Sequence, residues 1–429
     1  MNLRRNILLP LLIIAILAEV SAQQPNEGAE PHRTRLVAYH TADAAKQRAL
    51  TKQRYLQPIV EWTTSSSGVL QGEFTYPFSW VERQIFLRVE GVARPYEVWV
   101  NGKRAGSSRN GFAATEFNIT KLSKEDKNRV ELRLLPADEL SPIECFAESV
   151  TPQPVAYVIS QPRVRVRDIA WRTTLGEGGV VNVDFSAVMQ NLTLGTKRST
   201  LYYEIFHNDT IRLSGGHLDV ELGMRGVDTM RFGLPVPDSV LWSHRSPHQL
   251  SLRVHNRIEG RDVEFYDIPL ALRELFYDGA SYYINGEPTS LVWSEMSPTS
   301  SLDDVRGRVA EGNVAIRFTA GRVSEEVLEY CDAHGVYVAV TAPINSSSMG
   351  DSRKRGGNPS NDPEWCEEYI ERIEQMIHTT KRHPSVVAYF LADDSANGIC
   401  LYEAYLAAKR IAGDRPVIYL DGDNEWNSD

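Results

Sequence analysis

Three kinds of side chain could carry chemistry in this sequence. The first is a set of four cysteines, Cys145, Cys331, Cys366 and Cys400, in a chain of 429 residues. No CxxC pair and no Cys/His cluster at metal-ligand spacing occurs, so neither a metal nor any other cofactor is expected. Cys331 falls in an apolar helical pattern and reads as a buried thiol, whereas Cys366 and Cys400 are compatible with a disulfide or with two free thiols. The second kind is the carboxylate. Asp421, Asp423 and Glu425 alternate like part of a calcium loop, but the other ligands and the terminal bidentate Glu are missing, so a solvated acidic tail is expected. Asp393 and Asp394 stand side by side after an apolar run, and Glu295 follows another. The third kind is the aromatic face with polar neighbours, which suits sugar rings: Trp80, Tyr96, Trp99 and Phe112 in one segment, Trp293 in another. Trp99 alternates with Val98 and Val100, so it points to the opposite face of a strand from them.

The elements that must position these groups change character along the chain. Residues 23–67 are polar and irregular, with one candidate helix over Thr41–Leu56. From Val69 the period is two: Phe74, Tyr76 and Phe78, then Ile85, Leu87 and Val89, then Val98 and Val100. Asn101-Gly102 follows at once and predicts a two-residue hairpin, because both central residues need positive φ; Asn110-Gly111 reads as another turn. A second β section, over residues 160–272, holds roughly seven strands and fits an immunoglobulin-like sandwich. After Arg273 strand and helix alternate. Strands are expected at Leu291–Trp293, Val314–Phe318, Val336–Val340, Val386–Leu391 and Pro416–Leu420. Helices are expected at Leu302–Ala310, Ser324–His334, from Pro363 with Asp362 as cap, and at Tyr402–Ile411. That alternation is a parallel α/β unit.

Composition narrows the class. With 46 basic and 56 acidic residues the net charge is −10, and 42% of the chain is hydrophobic. This is a globular chain of several domains, without the basic stripe a general nucleic-acid binder needs. Arg4 and Arg5, an apolar stretch from Ile7 to Leu17 and the small residues Val20-Ser21-Ala22 predict a cleavable signal peptide. No Cys follows it, so no lipid anchor is expected, and no later run is long enough to span a membrane. The expected location is secreted or periplasmic.

In this order the segments resemble glycoside hydrolase family 2, the β-galactosidase and β-glucuronidase family, over residues 69–420. The resemblance rests on Ile85–Val92, Glu97–Lys103 and Phe117–Thr120, which are similar to its N-terminal sugar-binding jelly roll. Ser160–Val164 is similar to its linker into the immunoglobulin-like domain. Tyr283–Pro288, Tyr330–Val338 and Arg382–Val387 are similar to the opening of its (β/α)₈ barrel. The implied organisation is a signal peptide (1–22), an extension (23–67), a jelly roll (68–159), an immunoglobulin-like sandwich (160–272) and a partial barrel (273–429). The family's acid/base is the Glu of an Asn-Glu pair ending strand four. Asp393 and Asp394 stand at those positions, with the second carboxyl one methylene shorter. The family's strand-two His is absent from Arg317–Arg322, and its nucleophile belongs to strand seven, whereas this sequence ends at Asp429 after strand five. The resemblance therefore implies a relative that has lost catalysis and binds carbohydrate or protein. The alternatives are an active β-glycosidase using Asp394 as acid, and a structural subunit. Trp99, Trp293 and Glu295 are the candidate sugar contacts. Five strands cannot close a barrel, so the open edge is expected to meet a protein partner, a second copy or the polar extension.

Overall fold

The structure is a computed structural model that describes residues 26–48, 54–92, 94–111, 113–136, 141–143, 154–422 and 427–429. The expected signal peptide, Phe112, Cys145, Asp423 and Glu425 lie outside the described residues.

The first β unit packs two sheets against each other. Its strands are β1 (Leu56–Ile59), β2 (Thr63–Thr64), β3 (Leu70–Tyr76), β4 (Gln84–Glu90), β5 (Tyr96–Val100), β6 (Lys103–Ser108), β7 (Thr115–Asn118), β8 (Asp126–Leu134) and β9 (Val155–Gln161). One sheet runs β1-β9-β4-β7 and the other β2-β3-β8-β5-β6. Alternating apolar residues make the core: Ile85, Leu87 and Val89 from β4 meet Tyr96, Val98 and Val100 from β5. The β5–β6 turn is the expected hairpin, with φ of 49° at Asn101 and 77° at Gly102. β4 is buried along nearly its whole length. Its second face is covered as well: Arg88 reaches Glu116, and Glu90 reaches Arg322 beyond the unit.

The second β unit has β10 (Val164–Leu175), β11 (Val180–Asn191), β12 (Lys197–His207), β13 (Ile211–Leu222), β14 (Val227–Pro237), β15 (Leu250–Ile258) and β16 (Arg261–Leu270). They form two antiparallel sheets, β10-β11-β14 and β13-β12-β15-β16. Phe232 stacks between Phe185 and Tyr203 at the centre.

A short antiparallel sheet, β17 (Leu275–Tyr277), β18 (Tyr282–Ile284) and β19 (Glu287–Thr289), leads into the α/β unit. There β20 (Ser294–Met296), β21 (Ala315–Phe318), β22 (Tyr337–Thr341), β23 (Val386–Phe390) and β24 (Val417–Ile418) lie side by side in chain order, all parallel. The intervening helices are α2 (Leu302–Ala310), α3 (Glu325–His334), α4 (Cys366–Thr380) and α5 (Ile399–Ile411); α1 (Ala42–Gln47) belongs to the N-terminal segment. α2 starts in a capping box between Ser301 and Asp304, and α3 is capped by Ser324 and ends at Gly335. This five-stranded parallel sheet is part of a barrel wall.

Two expectations need correction, and one question left open is answered. The candidate helix over Thr41–Leu56 shrinks to α1, because Arg48 turns left-handed and Leu56 opens β1. The sheets of the first unit therefore begin inside the segment read as an extension. The first parallel strand is Ser294–Met296 and not Leu291–Trp293. Leu291 and Trp293 are apolar because they pack with Trp242, Tyr282 and Ile284 below the sheet. The two cysteines left open are bonded to each other: Cys366 and Cys400 form a disulfide, while Cys331 is a buried free thiol.

The N-terminal segment acts as a strap between units. Arg33 Nε donates to Glu116 Oε2 at 2.8 Å in the first unit, and Arg167 Nη2 of the second unit donates to the Pro31 carbonyl at 2.5 Å. Asn26 Nδ2 donates to Glu371 Oε1 of α4 at 2.7 Å.

Candidate functional site at the strand ends

In a parallel barrel the functional end is the one where the strands finish. Two faces of the sheet are distinguished by alternation. Ile316 and Phe318 of β21 face the helices, whereas Ala315 packs on the other side with Ala339, Ala388 and Phe390. Arg317, which alternates with Ile316 and Phe318, points to that second face, the one a closed barrel would enclose.

Arg317 organises the strand ends. Its Nη1 donates to Glu295 Oε1, and the two residues are register partners on β20 and β21. Its Nη2 donates to Asp393 Oδ1 at 2.6 Å, and the second oxygen of Asp393 accepts the backbone N–H of Ala320 at 2.6 Å. The guanidinium also lies over the Phe390 ring, 4.7 Å from its centroid. Arg317 is buried while Glu295 is 61% exposed at the side chain, so the cation is fixed and one of its two anions faces solvent. Charge-assisted bonds of this kind fix the orientation of the carboxylates they hold.

Asp394 goes elsewhere. It is exposed and lines a shallow recess with Ser347, Asp351, Arg353, Asn397 and Asp421. The loop that carries it is stitched down on its far side. Ser346 Oγ donates to Ser395 Oγ at 3.0 Å, Asn361 Nδ2 donates to the Asn397 carbonyl at 3.0 Å, and Tyr419 donates to the Ser395 carbonyl. Burial and the nearby Asp421 push the Tyr419 phenol up, so it stays a donor. The two adjacent carboxylates, at a bend, thus diverge: Asp393 serves Arg317, and Asp394 lines the recess.

The sequence-derived candidates are brought together only in part. Asp393 and Glu295 share one guanidinium. Trp293 does not join them: it precedes β20, at the opposite end of the strand, and packs edge-on against Tyr282 at 6.3 Å. Trp99 lies far away in chain position on β5 and does point away from Val98 and Val100. Its Nε1 donates to Glu97 Oε2 at 3.0 Å, and the Arg133 guanidinium covers its ring at 3.9 Å. Arg317 itself was missed as a site residue. Its signal was a single charge inside the apolar run Val314–Phe318, which is costly to bury unless it has a partner. Among the described residues no group of three or more His, Cys, Asp or Glu side chains is arranged to hold a metal ion, and no helix is long and apolar enough to cross a membrane.

The lower end of the sheet is structural. His383, just before β23, is buried and bonded to Asp332 Oδ2 at 2.7 Å, with Glu325 3.8 Å away. The two carboxylates overcome burial and raise its pKa to about 10.

Comparison with known proteins adds to this geometry. Residues 313–428 match the family model "Glycosyl hydrolases family 2, TIM barrel domain", and residues 50–144 match "Glycosyl hydrolases family 2, sugar binding domain". A β-galactosidase of Priestia megaterium is 22% identical over 370 residues, 81% of this chain and 35% of the relative. One from Psychromonas ingrahamii is 24% identical over 381 residues, 83% of this chain and 36% of the relative. Among solved structures, the β-D-glucuronidase of Dictyoglomus thermophilum aligns with a TM-score of 0.68 at 19% identity, covering 86% of this chain and 73% of that one. A putative β-galactosidase from Bacteroides fragilis aligns with a TM-score of 0.69 at 16% identity, covering 89% and 58%. The chain spans about a third of the length of the curated relatives it matches.

Proposed function

The chain belongs to glycoside hydrolase family 2, and from that premise we propose that it is an exported, catalytically inactive member that binds carbohydrate or protein in the cell envelope. In this reading the first β unit is a sugar-binding jelly roll, the second an immunoglobulin-like sandwich, and the parallel sheet a partial (β/α)₈ barrel. The observation that carries it is the state of Asp393. Retaining hydrolysis needs two carboxylates about 5–5.5 Å apart, one of them able to give a proton and the other to attack the sugar. Both oxygens of Asp393 are engaged, one by Arg317 and one by the Ala320 N–H. Glu295, across the same guanidinium, is likewise held as a counter-ion. Asp394 is the only member of the pair free of that clamp, and its carboxyl sits one methylene short of a Glu, a displacement of the size that costs about 10²-fold in rate.

A second reading, an active β-glycosidase that uses Asp394 as its acid, is favoured by one feature: Asp394 is exposed in a recess just beyond β23. As a binding module the chain would offer Trp99 on the outer face of β5, with Arg133 on one side of the indole and the other side for a sugar, together with Glu295 at the strand ends. Trp293 remains a candidate only for a ligand at the opposite end of the sheet. The edges formed by β20 and β24 are the places where a protein partner or a second copy would dock. The test is tryptophan fluorescence during titration with mono- and disaccharides. Saturable quenching that disappears in Trp99→Ala supports sugar binding at β5. Absence of a saturable response to any sugar overturns it.

A further inference from the structure

The edge strand of a sheet presents a row of unpaired backbone N–H and C=O groups, a template on which another strand can build. Among the described residues nearly every edge is short or shielded. β2, β17, β19, β20 and β24 are two or three residues long. β1 carries Pro58, and β14 carries Pro235 and Pro237, which have no N–H to offer. The N-terminal segment covers three more edges. The Ser107 N–H of β6 donates to the Glu27 carbonyl at 2.9 Å, and the Glu30 N–H donates to the Glu116 carbonyl of β7 at 2.8 Å. Tyr39 and Phe265 of β16 exchange both backbone bonds, at 2.8 and 3.1 Å. On β10 the carbonyls of Arg167 and Ile169 accept from Arg33 and Arg382.

β13 is the exception. It has 12 residues with neither proline nor lysine, and among the described residues its hydrogen-bonded neighbour in the sheet is β12 alone. Leu213 and Leu218 are only half-buried at the rim of the core. Two charges face outward: Arg212 Nε donates to Glu204 Oε1 at 2.7 Å, and Asp219 Oδ1 accepts the Thr200 hydroxyl at 2.6 Å. Both contacts are exposed, and exposed contacts hold a charge weakly. Residues seven apart in a regular strand lie on opposite faces. Here a bulge intervenes: Ile205 pairs with Ser214 and Phe206 with Arg212, so Leu213 is extra and Arg212 falls on the same face as Asp219. Midway between them stand Gly215 and Gly216. The strand therefore carries opposite charges on one face, placed symmetrically about a centre without side chains.

We propose that β13 pairs antiparallel with β13 of a second copy of this chain, about a two-fold axis beside Gly215-Gly216. Each Arg212 then faces the partner's Asp219, so the two rim charges are matched twice across the contact. The glycines let the backbones approach at the crossing. Leu213 and Leu218 are also equally spaced about that centre, so those of the two copies meet and lose more of their exposed apolar surface. Because the strand pairs with itself, the contact is closed at two copies and leaves no edge from which a fibre could grow. The charge order selects a second copy over an arbitrary strand, which would lack the complementary pair. Such a dimer requires neither sugar binding nor hydrolysis at the strand ends.

The experiment is sedimentation velocity of the full chain from about 1 to about 100 µM, with amide hydrogen exchange measured at both ends of that range. A reversible monomer–dimer equilibrium is expected, with protection rising at high concentration in β13 and not in β14. Arg212→Asp and Asp219→Arg each set like charges against one another twice, and each is expected to weaken dimerisation at least about tenfold. Combined in one chain they restore opposite charges and are expected to recover most of that loss. The exchange pattern of the unaltered chain decides the matter if a variant fails to fold. A chain that stays monomeric throughout, a dimer whose added protection lies outside β13, a dimer indifferent to the single reversals, or a double variant that recovers nothing would overturn the proposal.

Discussion

The Cys366–Cys400 disulfide ties the start of α4 to the start of α5, with the Cα atoms 4.4 Å apart and a sequence separation of 34. Replacing both by serine removes the cross-link without leaving a reactive thiol. The substitution is also mild for the native state. Cys400 Sγ lies 3.2 Å from the Asp362 carbonyl, so a serine hydroxyl there finds an acceptor. The cost should therefore come mainly from the unfolded chain, which regains the freedom of the closed loop. For a loop of this length the chain-entropy relation predicts about 3.8 kcal/mol at 25 °C. Urea unfolding followed by far-UV circular dichroism, under non-reducing conditions, measures it. Wild type treated with reductant should approach the double variant. A loss below about 1 kcal/mol would refute the reasoning, because the loop would then have to be restricted in the unfolded state by something other than the bond.

The remaining predictions concern particular contacts. His383 has a pKa raised to about 10 from an ordinary 6.5, so its contribution to stability is complete below 6.5 and is lost as pH climbs to 10. The gap in melting temperature between wild type and His383→Gln should therefore close over that interval, and a gap that widens would contradict the assignment. Gly335 ends α3 at φ 66°, and a Cβ there would lie 2.4 Å from the His244 carbonyl. Gly335→Ala should cost about 2 kcal/mol or more in denaturant unfolding. Arg317→Met strands Asp393 and should cost about 3 kcal/mol, the low end for breaking a buried pair because Glu295 is exposed. Adding Asp393→Asn should recover more than half of that loss, and failure to recover would mean that Arg317 acts through packing on Phe390.

Much of the architecture is legible residue by residue. The Asn101-Gly102 hairpin follows from two adjacent residues that tolerate positive φ. The bounds of α2 match because Ser301 and Asp304 close a capping box at its start. Apolar runs are less informative about place. Leu291–Trp293 has the composition of a strand, yet those side chains fill the space beneath the sheet and the strand forms three residues later. The strand-end site is legible only in fragments, because the sequence names charges without their partners. Glu295 and Arg317 lie on β20 and β21 and Asp393 just past the end of β23, and only the parallel packing of these strands brings them to one point. The disulfide is hidden for the same reason: the two cysteines are 34 positions apart in sequence, and the packing of α4 on α5 makes them neighbours.

Asp393 and Glu295 are held as counter-ions of Arg317, and the central proposal built on this is that the chain does not hydrolyse glycosides. The most direct measurement is hydrolysis of a panel of nitrophenyl β-glycosides, β-galactoside and β-glucuronide included, by the purified chain beside an Asp394→Ala control. The account predicts no release of nitrophenol above buffer, or a trace rate that is the same in both proteins. Turnover of wild type that Asp394→Ala abolishes would contradict it and would make the recess beyond β23 a working active site.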